Sequence, residues 1–188
     1  GDSSGEMTAL SVVNLGSGRT AIDISLGKQH SCAILDNGSI KCWGLNEYGQ
    51  LGIDNATDMG DDSGEMALLL GIDLGVGRTA IQIDSGENHN CAVLDNGRVK
   101  CWGNNNKGQL GVDSSATQKG RNTTNSMTTV NEISFSGNTS VVAVSCGKTH
   151  SCAIFDNSSI KCWGNNSKGE LGIENTTNVG RSSGDMAS

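Results

Sequence analysis

Proline is absent from the 188 residues, aromatic side chains make up 3% of them, and lysine and arginine together number 13 against 20 acidic residues. The longest apolar runs, "MALLLG" at 66–71 and "SVVAVSCG" at 140–147, fall far short of the roughly 20 residues a membrane-crossing helix needs. No membrane span is expected. A net charge of −7 argues against DNA or anionic lipid as the main partner, so no nucleic-acid role is expected either. With 27 glycines and no proline, the chain is long enough to bury a core but lacks the residue variety of a typical enzyme domain.

Seven cysteines are present, and six of them share one setting. The stretch "CAILDNGSIKCWG" at 32–44 places two cysteines about an Asp-Asn-Gly turn between two alternating segments, which reads as a β-hairpin. A three-residue loop, closed by a left-handed glycine at Gly38, sets Leu35 opposite Ser39 and Cys32 opposite Cys42. A two-residue loop would instead oppose Cys32 and Trp43. Opposed cysteines lie within reach of a disulfide, and the three-residue form is therefore expected, with the sulfur link as a cross-strand staple. The motif recurs at 91–103 and 152–164, giving the further pairs Cys91 with Cys101 and Cys152 with Cys162. Cys146 is left over, either as a buried free thiol or as one end of an intermolecular bridge. Stapled pairs imply an oxidising, extracellular location. Seven Asn-x-Ser/Thr sequons, at Asn37, Asn55, Asn122, Asn138, Asn157, Asn165 and Asn175, fit the same secretory route and name N-linked glycans as attachments.

The first cysteines of the three motifs are spaced 59 and then 61 residues apart, and "GDSSGEMTA" at 1, "GDDSGEMAL" at 60 and "GRSSGDMAS" at 180 mark a common phase. Each repeat reads as four short strands: "TAIDISLG" at 20–27, the two stapled strands, and "MALLLGIDLG" at 66–75. No helical period is visible. Residues 1–17 then supply the fourth strand of a preceding blade, followed by repeats at 18–76, 77–136 and 137–188, the last without its final strand. Four-stranded units of this length, radially repeated, are the pattern of an all-β propeller.

The segment "GKQHSCAILDNGSIKCWGLNEYGQLG" resembles the RCC1 repeat family, seven-bladed propellers whose repeats show G-x-x-H-x-x-A-L, D-G, W-G-x-N and G-Q-L-G. The resemblance covers all three repeats and is closest to the secreted, cysteine-containing branch. Two departures stand out: Asn157-Ser158-Ser159 replaces the Asn-Gly turn, and the proline expected in the long connection is missing. The resemblance implies blades in a larger propeller or an open repeat array. Three blades cannot close a ring, so further repeats of the same chain, or copies of it head to tail, are the expected partners.

No residue set stands out as catalytic or metal-binding. His30, His89 and His150 recur once per repeat, which favours structural hydrogen bonding over catalysis and does not match zinc spacing. Trp43, Trp102 and Trp163 are tied to the motif and read as blade packing rather than sugar stacking. Asp36, Asp95 and Asp156 open the turns. The acidic group Asp54, Asp58, Asp61, Asp62 and Glu65 lacks calcium-loop spacing and reads as a solvated loop. No cofactor and no enzymatic activity are expected. The sequence points to a secreted, glycosylated structural protein that builds an extracellular filament, sheath or appendage. The alternative is a closed propeller that binds protein or glycan, as the family's inhibitors and exchange factors do.

Overall fold

A computed structural model of the chain describes residues 4–187 except 115, 134 and 138, so the sequon at Asn138 lies outside the described residues. Three antiparallel sheets follow one another along the chain. The first contains β1 (Ala21–Leu26), β2 (His30–Leu35) and β3 (Ile40–Gly44). The second contains β4 (Ala80–Ser85), β5 (His89–Leu94), β6 (Val99–Asn104) and the two-residue β7 (Gln118–Lys119). In the third, β8 (Val141–Cys146), β9 (His150–Phe155) and β10 (Ile160–Gly164) repeat the order of the first.

The hairpin is the three-residue kind. Leu35 donates its amide to the Ser39 carbonyl at 2.8 Å, and Gly38 donates back to Leu35 at 2.8 Å with φ at 75°. Cys32 stands opposite Cys42, Cys91 opposite Cys101 and Cys152 opposite Cys162. At Cα separations of 4.1, 4.1 and 4.0 Å all three pairs are closed as disulfides. Ser158 holds the left-handed turn position at φ 66°, where the other two repeats have glycine.

The stretch at 66–75 corrects the four-strand expectation. Its start is a single helical turn, α1 (Glu65–Leu68), and the remainder touches β3 through one ladder-type bond, Ile72 N to Ile40 O at 2.9 Å. The edge of β3 is already occupied, because Met59 and Gly44 exchange both backbone bonds at 2.7 and 3.1 Å. In the second repeat the corresponding residues lengthen into β7, against Gly103 and Asn104. The fourth strand is therefore a fragment drawn from the middle of the long connection. The Leu-rich segment instead buries Leu69 and drops Ile72 and Leu74 into the space between sheets.

Side chains alternate across each hairpin, and both faces are apolar. Cys32, Ile34, Ile40 and Cys42 pack against Ala80, Ile83, Ala92, Leu94 and Trp102 of the next repeat. Cys91, Val93, Val99 and Cys101 meet Val141, Val144, Ala153, Phe155 and Trp163 in the same way. The core thus lies between sheets, leaf against leaf, as in a propeller, and β5 in the middle leaf is buried along its whole length.

The left-handed turn generates opposite outcomes for two substitutions, read by urea unfolding. Ser158→Gly should raise stability by roughly 0.5–1 kcal/mol, since serine carries the left-handed penalty that glycine lacks. Gly38→Ala should lower it by about 2 kcal/mol or more, adding that penalty to a collision. The added Cβ would fall 2.5 Å from Thr79 Cβ.

Candidate functional site

The chemistry of this chain is concentrated where one repeat meets the next. Trp102 donates its indole N–H to the Gln50 carbonyl of the preceding repeat at 3.0 Å, and Trp163 donates to the Gln109 carbonyl at 2.9 Å. Both rings are fully buried, so the apolar body fills the seam while the one polar atom is satisfied across it. Trp43, in the first repeat, is only half-buried.

Histidine makes the second link. His30 Nε2 lies 2.8 Å from Asn90 Oδ1 of the next repeat, and His89 Nε2 lies 2.9 Å from Ser151 Oγ. The three-residue spacing to the preceding glycine has a steric cause. A Cβ on Gly27, Gly86 or Gly147 would fall 2.0 to 2.2 Å from the Cε1 of His30, His89 or His150, respectively. Burial pushes the imidazoles towards the neutral form: His30 is lowered, and His89 falls to about 3, with the neighbouring His30 and His150 adding to the effect. The Nδ1 atoms of His30 and His89 are buried without a partner among the described residues.

Charged groups lie along the same seam in the turns between the first and second strands of each repeat. Lys28 Nζ meets Glu87 Oε1 at 2.6 Å and Lys148 Nζ meets Glu87 Oε2 at 3.6 Å, three residues from equivalent positions of three repeats. In the long connections Arg121 donates to the Glu47 carbonyl at 2.7 Å and Arg181 to the Asn106 carbonyl at 3.2 Å, each reaching back one repeat.

Cys146 is a free thiol at the seam between the second and third repeats, with Sγ 3.4 Å from the Asp84 carbonyl and 3.8 Å from Ser151 Oγ. Burial, and then the charge of Asp84, push it up to about 12. Its sulfur, Cys91 Sγ and a ring nitrogen of His89 lie within 4.8 Å of one another. Cys91 is committed to its disulfide and cannot serve as a thiolate ligand there.

The turn aspartates hold backbone. Asp36, Asp95 and Asp156 accept from the amides of Thr20, Thr79 and Ser140, just ahead of the first strand of their own repeat. The acidic residues of the first connection are likewise dispersed: Asp54 accepts from Met127 N, Asp58 from Asn46 N, and Glu65 from Gly60 N and Asp62 N. Those amides hold the Glu65 carboxyl below the usual range. Among the sequons, Asn37, Asn55, Asn122, Asn157 and Asn175 are exposed. Asn165 is half-buried, and its Nδ2, the atom a glycan would occupy, donates to Glu170 at 2.6 Å and Ser167 at 3.1 Å.

Two residue sets were given no role from the sequence, although the first stands in the W-G-x-N motif. Asn46, Asn105 and Asn166, three positions after each tryptophan, are fully buried. Asn46 and Asn166 each tie down the connection with Nδ2 on the Asn55 and Asn175 carbonyls, and all three asparagines accept from the leucine of the G-x-L-G turn. Their recurrence three residues after the tryptophan was the available signal. The Lys28–Glu87–Lys148 row had no such signal, because the residue type alternates.

The family description "Regulator of chromosome condensation (RCC1) repeat" matches residues 21–50, 80–109 and 141–170, and a second model of the same description matches 96–154. Protein pim1 of Schizosaccharomyces pombe is 31% identical over 164 residues, covering 82% of this chain and 29% of pim1. The chain spans less than a third of that relative. Human WBSCR16 superposes with a TM-score of 0.68 at 21% identity, over 85% of this chain and 36% of that one. Yeast RCC1 (Prp20), solved bound to Kap60, superposes at 0.60 with 19% identity, over 79% of this chain and 30% of that one. Both likenesses show the fold.

Burial at and around the seams sets three outcomes. An unfolded His89 takes up a proton below the ordinary imidazole value of about 6.5, and the folded one only near 3. Stability should therefore fall as pH drops from 6.5 towards 3, with a slope from this group of at most about 1.4 kcal/mol per pH unit. Urea midpoints across that range check it, and His89→Gln should flatten the slope. Cys146 should resist a thiol reagent at neutral pH in the folded chain and react at once in denaturant. Under mild reductant the partly exposed Cys152–Cys162 link should open before the buried Cys91–Cys101. Timed labelling and peptide mapping read both.

Proposed function

Because the chain belongs to the regulator of chromosome condensation (RCC1) repeat family, we propose that it is part of a stapled, propeller-like array acting outside the cell as a non-catalytic scaffold for protein contacts. One observation carries the reading. Ile83 and Val144 are 3% and 4% exposed, whereas Ile24, at the same position of the first repeat, is 60% exposed. On the other side, Ile34, Ile40, Val93 and Val99 are fully covered, while Ile154 and Ile160 of the third repeat are 42% and 63% exposed. The two outer faces carry the same side chains that bury one another inside the chain, so further repeats of this kind are their natural cover. Intra-repeat disulfides support an oxidising compartment, and exposed sequons support N-linked glycans.

The array takes one of two forms. Head-to-tail continuation builds a filament, sheath or surface appendage, and the shared stapled motif of the three repeats favours it. Closure gives a propeller that presents loops to a protein or glycan, favoured by the likeness to WBSCR16 and Prp20.

Electron microscopy of native material, with intact mass before and after glycosidase and reductant, tests the reading. Filaments or closed discs, a mass loss with glycosidase, and a gain of two hydrogens for each stapled hairpin on reduction are expected. Isolated three-blade wedges with bare outer faces, or six free thiols in the hairpins, would overturn it.

A further inference from the structure

The exposed face of the third repeat is more selective than its apolar side chains indicate. Three features at the two internal seams define what a following repeat must present, and the chain's own first repeat fails each of them.

The first is charge. In the turns between the first and second strands the order is Lys28, Glu87, Lys148, with Glu87 held between the two ammonium groups at 2.6 and 3.6 Å. The backbone runs in step, with Lys28 N on the Glu87 carbonyl at 3.2 Å and Glu87 N on the Lys148 carbonyl at 3.3 Å. Continuation by the same geometry places the next residue of this row beside Lys148. A second copy of this chain would bring Lys28 there, like charge against like.

The second is shape. Gly38 O accepts from Ala80 N at 2.8 Å and Gly97 O from Val141 N at 2.9 Å, so each hairpin turn presses on the start of the next repeat. A Cβ on Gly38 would lie 2.5 Å from Thr79 Cβ, and one on Gly97 2.7 Å from Ser140 Cβ. The third turn carries Ser158, which has a Cβ. A second copy would press Thr20, the counterpart of Thr79 and Ser140, onto it. A residue without a side chain at that position removes the collision.

The third is a hydrogen bond. Arg121 and Arg181 each donate to a turn carbonyl of the preceding repeat, at Glu47 and Asn106. The matching residue of the first repeat is Asp61, whose carboxylate has no proton to give to the corresponding carbonyl of Ser167.

We infer that the outer face of the third repeat docks a repeat bearing a carboxylate at the Glu87 position, glycine at the Thr79 position and a cationic donor at the Arg121 position, in preference to the first repeat of a second copy. This rests on the reading that the outer faces are docking faces for further repeats, and it selects a non-identical blade as the occupant.

The wild-type chain and a matched variant test the selection. The variant carries Lys28→Glu, Glu87→Lys and Lys148→Glu, which preserve alternation within it, together with Thr20→Gly and Asp61→Arg. Circular dichroism and a thermal melt establish that it folds. Sedimentation of the mixture should then show association at least about tenfold tighter than wild type with itself. Raising salt from about 50 mM to about 500 mM should weaken it, and Ile160→Asp in the wild-type partner should abolish it. Equal association of both pairings, still abolished by Ile160→Asp, would overturn the selection and leave the docking reading standing. No association in either pairing would overturn both. Should the five-fold variant fail to fold, Thr20→Gly with Asp61→Arg alone, mixed with wild type, gives the same comparison without the charge exchange.

Discussion

An indole that lies in one leaf and gives its proton to the carbonyl of the leaf before it cannot be satisfied by its own repeat. Trp102 and Trp163 are placed this way, and the apolar side chains around them follow the same rule, since each sheet is greasy on both sides. The stapled hairpin is consequently a unit that becomes stable only in company. Glycines pressed against the neighbouring repeat, histidines bonded across the seam and arginines reaching back to a turn all belong to that single requirement.

The parts of this architecture governed by local counting were legible in the sequence. The loop length of the hairpin follows from where its cysteines must stand, and all three sheets obey it. The first strand of each repeat also lies where its alternation placed it, although a bulge between Ala21 and Asp23, and at the two equivalent sites, interrupts the register. The last strand was misread for a physical reason. Leu68, Leu69 and Leu70 are exposed, buried and exposed in turn, as in a strand, but the edge they would pair with is taken by Met59, and Gly60 and Gly64, at φ 97° and 91°, turn the chain before it arrives. Alternation reports which side chains are buried, and it does not report which backbone edge remains free.

Contacts between repeats were legible only where the residue recurs unchanged. His30, His89 and His150 recur, and so does the glycine three residues before each, but the partners Asn90 and Ser151 differ in kind. Lys28, Glu87 and Lys148 differ in sign at one position, which a search for repetition discards as noise. The information lay in the variation rather than in the repeat.

The disulfides connect strands within a leaf and never one leaf to another. Under tension along the chain, leaves can therefore separate one at a time, each yielding its long connection first. The hairpin is held back, because the link spans 10 residues of sequence that cannot be drawn out. At about 3.4 Å per extended residue, roughly 30 Å of slack is withheld from every repeat. Pulled from its two ends, the chain gives way in steps, and each detached leaf keeps its central hairpin tied for re-stacking when the load is released.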